Sequence, residues 1–181
     1  MKTLFTLLAT LCLAISAFGQ AAAEDLKKQF SALQSAIRAG NTADAAKMTS
    51  ALLPDSARLK KALADGVPAP TLAKLEAFYA GLPKDPAQLG KLLAVPAERS
   101  EVKVHAATTE EIAQYAKGST AYNVFPGATK DLAANGTLRP GVTFFEVEAL
   151  EPGKDAGTKF HLFYHDGTAW TMLGPIWRAL K

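Results

Sequence analysis

The residues with the widest chemical scope lie in the C-terminal third of the chain. His161 and His165 are four positions apart, and Glu146 and Glu148 are two positions apart in the segment before them. A histidine or a pair of carboxylates that faces a pocket performs general acid–base chemistry. These four residues are therefore the candidate catalytic set, and they would suit a small hydrolase or isomerase that needs no cofactor.

The spacing of the two histidines argues against a metal site. On a helix this spacing would place them side by side. On a strand they share a face but lie about 13 Å apart at ~3.3 Å per residue. Two ligands at that distance cannot hold one ion, and His105 is remote from both in the sequence. We therefore predict no metal and interpret these residues as polar strand histidines.

The two glutamates are predicted on the same side of a strand, roughly 7 Å apart. Phe145, Val147 and Ala149 alternate with them, so we expect the apolar residues to point inward and the glutamates to face solvent. The alternative is that Glu146 faces a histidine of the neighbouring strand and forms a general-base dyad with it. The loop 151–157 leaves the strand register open, so the sequence is compatible with both arrangements.

Three segments rich in aromatic and branched residues predict the antiparallel meander that carries these side chains. They are 142–150, 159–165 and 168–173. Asp166-Gly167 between the last two is a preferred two-residue hairpin turn. This turn would pair Phe163 with Trp170 across the hairpin.

Both faces of the predicted hairpin are apolar. Phe163, Trp170 and His161 share one face, and the opposite face carries Phe160, Leu162, Tyr164 and Leu173. We expect helices to cover one face and a loop, a partner subunit or a bound apolar ligand to cover the other. The candidate ligand-binding residues are accordingly His161, Phe163, Tyr164 and Trp170.

The part of the chain before the meander predicts short amphipathic helices. Leu26, Phe30, Leu33 and Ile37 recur at helical spacing. Further helices are predicted to begin at the N-caps Asn41 or Thr42, Asp55, Thr71 and Asp85. A strand over 101–106 leads into one more helix through a capping box. We predict an α+β fold in which the helical region 24–98 packs on the antiparallel-sheet region 99–181 as one domain.

The N-terminus predicts a secretory signal peptide over residues 1–23. Lys2 precedes an apolar run over 4–18, which is shorter than the ~18 to 20 residues of a membrane span. Small residues follow it, and cleavage after Gly19, Ala21 or Ala23 fits the pattern equally well. We therefore expect a secreted or periplasmic protein without stable membrane insertion after cleavage.

Composition excludes several classes of function. The 20 basic and 17 acidic residues give a formal net charge of +3, too small to favour a nucleic-acid partner. The single cysteine, Cys12, lies in the predicted signal peptide, so thiol chemistry and disulfides are excluded for the mature chain. No phosphate-binding loop, nucleophile elbow or dinucleotide fingerprint occurs, and we predict no cofactor.

The order of elements ends with the run Asp166-Gly167-Thr168-Ala169-Trp170. This order of helices, strand, helix and meander, together with the final run, resembles the nuclear transport factor two-like, or cystatin-like, α+β fold over residues 24–53 and 99–174. The extra helices over 54–93 depart from that pattern. The resemblance implies a curved sheet that wraps a helical layer and encloses a cone-shaped pocket, and it implies no particular activity.

These observations lead to three functional hypotheses. The first is an exported, non-enzymatic module that binds a small apolar ligand or a protein partner through a sheet face or a cleft. The second is the cofactor-free hydrolase or isomerase that uses a histidine with Glu146 or Glu148. The third is a scaffold whose exposed sheet face forms a homodimer.

Overall fold

The computed structural model describes the backbone of residues 2–181 and the side chains of residues 19–181. The predicted signal peptide falls mainly on residues whose side chains lie outside this description, so it stays a prediction. Among the described residues, no helix is both long enough and apolar enough to cross a membrane.

The chain has the predicted α+β fold, with most of its helices before an antiparallel sheet. The helices are α1 (Lys2–Arg38), α2 (Thr42–Leu52), α3 (Ser56–Ala62), α4 (Ala69–Ala80), α5 (Pro86–Leu89), α6 (Thr109–Gln114), α7 (Thr120–Val124) and α8 (Gly127–Ala134). The strands are β1 (Glu101–Thr108), β2 (Thr143–Leu150), β3 (Thr158–His165) and β4 (Trp170–Met172), and a short 3₁₀ helix over Ile176–Arg178 follows. Neighbouring strands pair in the order β1-β2-β3-β4.

Polar caps begin α2, α3, α5 and α6 where the sequence predicts them. The predicted cap at Thr71 is wrong, because α4 begins at Ala69, where a proline in the first turn replaces a side-chain cap. The side chains of Asn41, Asp55 and Asp85 accept backbone N–H groups in the first turns of α2, α3 and α5. At α6, the side chain of Thr108 accepts the Glu111 N–H and the Glu111 carboxylate accepts the Thr108 N–H. The sequence pattern does not predict α7, where the Ser119 hydroxyl accepts the Tyr122 N–H and caps the helix.

Helices of the chain itself cover both faces of the sheet. One face packs on α1 and α2, where Phe30, Phe145 and Phe163 are buried together. The other face packs on α3, α4 and α6 to α8, where Phe144 and Tyr164 are buried. The helices therefore do what we had expected a loop, a partner or a ligand to do on the second face.

The hairpin between β3 and β4 has a four-residue loop instead of the predicted two-residue turn. Phe163 pairs with Met172 and His165 pairs with Trp170, so the predicted pairing of Phe163 with Trp170 is wrong. The side chain of Asp166 causes the difference, because its Oδ1 accepts the N–H groups of the two residues before Trp170 at 2.8 and 2.9 Å. The shift is two residues, so the residues of β4 keep the faces that the sequence predicts.

Candidate functional site

A β-bulge in β3 decides which side chains face the candidate site. Phe145 pairs with Phe163 and Val147 pairs with Phe160, so both His161 and Leu162 lie opposite the single residue Glu146. Leu162 adopts the left-handed conformation, with φ +56°. The extra residue reverses the alternation of faces for the part of β3 that precedes it.

The bulge exchanges the predicted positions of Phe160 and His161. Phe160 packs on Phe30 of α1, with 5.1 Å between the ring centroids. His161 lies on the other face, with its ring centroid 5.2 Å from that of Trp177. Both residues were predicted on the opposite face, and the prediction is wrong because it assumed a regular strand. This contact with Trp177 ties the C-terminal segment to β3.

His161 and Glu146 form a buried pair across β2 and β3. Nδ1 of His161 lies 2.6 Å from Oε2 of Glu146, within the range of a short hydrogen bond. The N–H of Leu162, at the bulge, donates to Oε1 of Glu146 at 3.3 Å. The Glu146 side chain is 0% exposed and the His161 side chain is 21% exposed. Both carboxylate oxygens therefore have a partner, although no part of the group reaches solvent.

Burial acts on the ionisation of Glu146. It raises the pKa of Glu146, while contacts with His161, the Leu162 N–H and the charge of Lys159 offset only part of the rise. An uncompensated negative charge is costly at such a site, so the contact with His161 offsets part of the cost of burying the carboxylate. Nε2 of His161 donates or accepts a hydrogen bond according to which ring nitrogen carries the proton.

Glu148 belongs to a second polar contact on the same face. The N–H of Gly157 donates to its Oε1 at 3.0 Å, and Nε2 of His105 lies 3.8 Å from its Oε2, too far for a hydrogen bond. Burial lowers the pKa of His105, and Lys159 lowers it further while Glu148 raises it. The imidazole of His105 is thus disposed to be neutral beside Glu148.

The expectation that the two glutamates face solvent is wrong. Glu146 is 0% exposed and Glu148 is 6% exposed. The sequence pattern identified the apolar side of β2 correctly, since Phe145, Val147 and Ala149 are buried against α1 and α2. It could not reveal that α6 to α8 cover the other side as well.

An apolar cavity of about 310 Å³ lies beside His161, next to the point where β4 ends. Its walls come from the end of α2, from α4 and the turn after it, from the segment after α5, from β3 and β4, and from the C-terminal segment. They include Phe78, Leu82, Leu92, Leu93, Phe160 and Met172. His161 makes no hydrogen bond through Nε2 within the described part of the chain, and it is one of the residues that line this cavity. The cavity therefore combines apolar walls with a histidine whose second ring nitrogen has no partner among the described residues.

The structure brings together only part of the candidate catalytic set. His161 and Glu146 are in direct contact, whereas Glu148 contacts His105 instead. His165 lies at the end of β3, where its ring contacts Trp170 at 5.3 Å between centroids and its Nδ1 accepts a backbone N–H. His165 therefore has no part in the contact between His161 and Glu146.

The four predicted ligand-binding residues do not share one surface. Phe163 is fully buried in the core with α1, and Tyr164 is buried on the opposite face. Trp170 lines a separate cavity of about 510 Å³ between α1, α2 and the β3–β4 loop. Only His161 lines the cavity beside the buried pair.

Sequence reasoning missed several residues of this site. Arg178 and Tyr79 line the cavity from the C-terminal segment and from α4, and neither belongs to a recognisable motif. The bulge also has no glycine to reveal it, because leucine occupies the left-handed position. Within the described side chains, no group of three or more histidine, aspartate, glutamate or cysteine residues is placed to hold a metal ion.

Comparison with known proteins yields no family model, no curated protein and no solved structure that matches this chain. The resemblance to the nuclear transport factor two-like fold therefore stays a prediction from the order of elements.

Proposed function

We propose that this chain is an exported, non-enzymatic module that binds a small apolar ligand in the cavity beside His161. The observation that carries the proposal is the cavity itself: about 310 Å³, with mostly apolar walls and one imidazole. Small-molecule sites are typically concave, apolar and equipped with a few polar groups that orient the ligand. Because helices cover both sheet faces, the cavity is favoured over a sheet face as the binding site.

The side chains of the cavity wall favour binding over covalent catalysis. No serine, threonine or cysteine occurs among the described residues that line the cavity. A covalent acyl-enzyme mechanism therefore has no support in the side chains that line this site.

A neutral fluorescent probe tests the proposal. N-phenyl-1-naphthylamine brightens in an apolar site, and we expect saturable binding of one probe per chain. Leu82 is half-buried in the cavity wall, so Leu82→Trp should fill the space and weaken binding at least tenfold. Met48→Trp is the matched control, because Met48 is a half-buried residue of the other cavity.

The result that contradicts the proposal is equally specific. If both variants retain the circular dichroism spectrum of the wild type, and the probe binds Leu82→Trp as tightly as the wild type, the cavity beside His161 is not the binding site. Loss of binding only in Met48→Trp would move the site to the cavity between α1 and α2.

The 2.6 Å contact between His161 and Glu146 favours a second candidate function, a cofactor-free hydrolase or isomerase. A histidine that a carboxylate holds at Nδ1 exchanges a proton at Nε2 as a general acid or a general base. Hydrolysis of p-nitrophenyl esters tests this function with His161→Gln and, as a matched control, His165→Gln. Activity lost only in His161→Gln would support it, whereas no wild-type activity, or equal activity in both variants, would contradict it.

Export and oligomeric state complete the proposal. The predicted signal peptide supports export, and the intact mass of protein purified from its native compartment would identify cleavage after Gly19, Ala21 or Ala23. A full-length mass would contradict export by this route.

The homodimer hypothesis loses its motive when both sheet faces are covered, and we expect light scattering to report a monomer.

A further inference from the structure

The ionisable side chains around the cavity have one sign. Among the described residues that line it, Lys159, His161 and Arg178 are basic, and none is an aspartate or a glutamate. Tyr79 also lines the cavity, but its hydroxyl donates to the carbonyl of Leu173 at 2.9 Å, and burial raises its pKa. The polar end of the cavity therefore offers cationic groups and hydrogen-bond donors.

The three basic residues differ in how far their own contacts occupy them. Nζ of Lys159 donates to the carbonyl of Val124 at 3.3 Å, which draws its charge away from the cavity. Arg178 belongs to the 3₁₀ helix and is exposed. Its guanidinium forms no ion pair with any residue whose side chain the structure describes. Arg178 is thus the cation most available to a ligand, and His161 is a polar residue of the same lining whose Nε2 has no hydrogen-bond partner among the described residues.

We infer that the ligand carries a carboxylate, which binds between Nε2 of His161 and the guanidinium of Arg178, while its apolar body fills the cavity. This inference rests on the proposed binding function and adds the chemical class of the ligand. A guanidinium and an N–H donor together suit a carboxylate, which has two acceptor oxygens. The contact between Glu146 and Nδ1 of His161 supports this binding mode, because it fixes the orientation of the His161 ring.

The volume of the cavity limits the apolar body. At about 30 Å³ for each group the size of a water molecule, about 310 Å³ holds roughly ten such groups. A straight-chain monocarboxylate of about ten carbons meets this limit, and so does an aromatic monocarboxylate of similar size. A phospholipid with two long chains exceeds it.

The test compares decanoate with 1-decanol as competitors of N-phenyl-1-naphthylamine. It uses the whole chain that remains after cleavage of the predicted signal peptide. The two competitors share an alkyl chain and differ in charge. We expect decanoate to displace the probe at a concentration at least tenfold lower than 1-decanol, as one charged hydrogen bond or ion pair typically provides. Arg178→Gln should abolish this preference, so that the two competitors displace the probe at similar concentrations.

Two further variants complete the design. Lys181→Gln removes the same charge from the same exposed terminal segment without touching the cavity lining, and it should keep the preference for decanoate. His161→Gln should reduce the preference as Arg178→Gln does. Because Arg178 is exposed, its substitution leaves the core intact, and a folding defect in His161→Gln would not weaken the test.

The outcomes separate the two levels of the argument. Equal displacement by decanoate and 1-decanol would overturn the carboxylate inference and leave the apolar cavity as a binding site. An equal loss of preference in Lys181→Gln and Arg178→Gln would also overturn it, because only general charge would then matter. Failure of the probe itself to bind the cavity would overturn the proposed function.

Discussion

The contact between His161 and Glu146 makes a quantitative prediction about stability. Substituting either residue with alanine removes one side of a hydrogen bond of 2.6 Å and leaves the other side without its partner. Breaking a buried charged pair from one side costs about 3 kcal/mol or more. A charge-assisted hydrogen bond is itself worth about 1.5–3 kcal/mol. We therefore expect each single substitution to lower the free energy of unfolding by about 3 kcal/mol and the double substitution by only about 4 kcal/mol.

The coupling energy follows from these three changes, and it is about 2 kcal/mol. Urea unfolding of the wild type, both single variants and the double variant at neutral pH measures it. The exposed pair of Lys103 and Glu101 on β1 is the control, with 3.6 Å between the charged atoms and side chains that are 42% and 39% exposed. Such surface pairs couple by less than about 1 kcal/mol.

A coupling energy for His161 and Glu146 no larger than that of the exposed control would refute the reasoning. It would mean that the two side chains do not share a proton in a buried contact. If the alanine variants do not fold, the same cycle with Glu146→Gln and His161→Gln keeps the side chains similar in size and still removes the charges.

Three other substitutions test separate parts of the fold. Gly157→Ala should lower the free energy of unfolding by about 3 kcal/mol, because the added Cβ would clash with a carbonyl oxygen of β2. Gly66→Ala is the control. Its added Cβ would lie in open space, and it should change the free energy of unfolding by less than about 0.5 kcal/mol in the same urea assay. Burial favours the neutral form of Asp166, but hydrogen bonds from its loop and from an arginine of α3 outweigh it and hold its pKa below the ordinary value of 3.8. The difference in the free energy of unfolding between the wild type and Asp166→Asn should therefore be largest above pH 4 and shrink as the pH falls below that value. A difference that stays constant across an acid titration would contradict the role of the Asp166 charge. Asp25→Ala removes the acceptor of the Trp170 indole N–H at 2.7 Å and should lower the free energy of unfolding by about 1–3 kcal/mol in chemical unfolding. An unchanged free energy of unfolding would contradict this prediction and would mean that water replaces the carboxylate as the acceptor.

Local chemistry made the starts of four helices predictable. The caps at Asn41, Asp55 and Asp85 and the capping box at Thr108 each depend on residues within one turn of the chain. The same holds for the sides of β1 and β2, because their residues alternate regularly between the two cores. These features need no knowledge of distant residues, and the sequence was sufficient for them.

The hairpin loop and the site depend on longer-range interactions. Asp166-Gly167 fits a two-residue turn locally, but Arg58 of α3 binds Oδ2 of Asp166 at 3.0 Å and helps to hold a wider loop. The burial of Glu146 results from helices that follow β1 and pack over β2. The sequence was compatible with a contact between Glu146 and a histidine, as one of two alternatives. The strand register that produces this contact depends on a bulge in β3, and the residue types of β3 do not predict that bulge.

The extra residue in β3 has a consequence for how this protein can change over time. A regular β3 of the same sequence, held in register at Phe163, would place His161 opposite Val147, and the imidazole now beside Glu146 would turn toward α1. Its neighbour Phe160 would turn the opposite way. Here strand register, more than the identity of any one side chain, positions the site. Changes that restore a regular register are therefore the events that erase it.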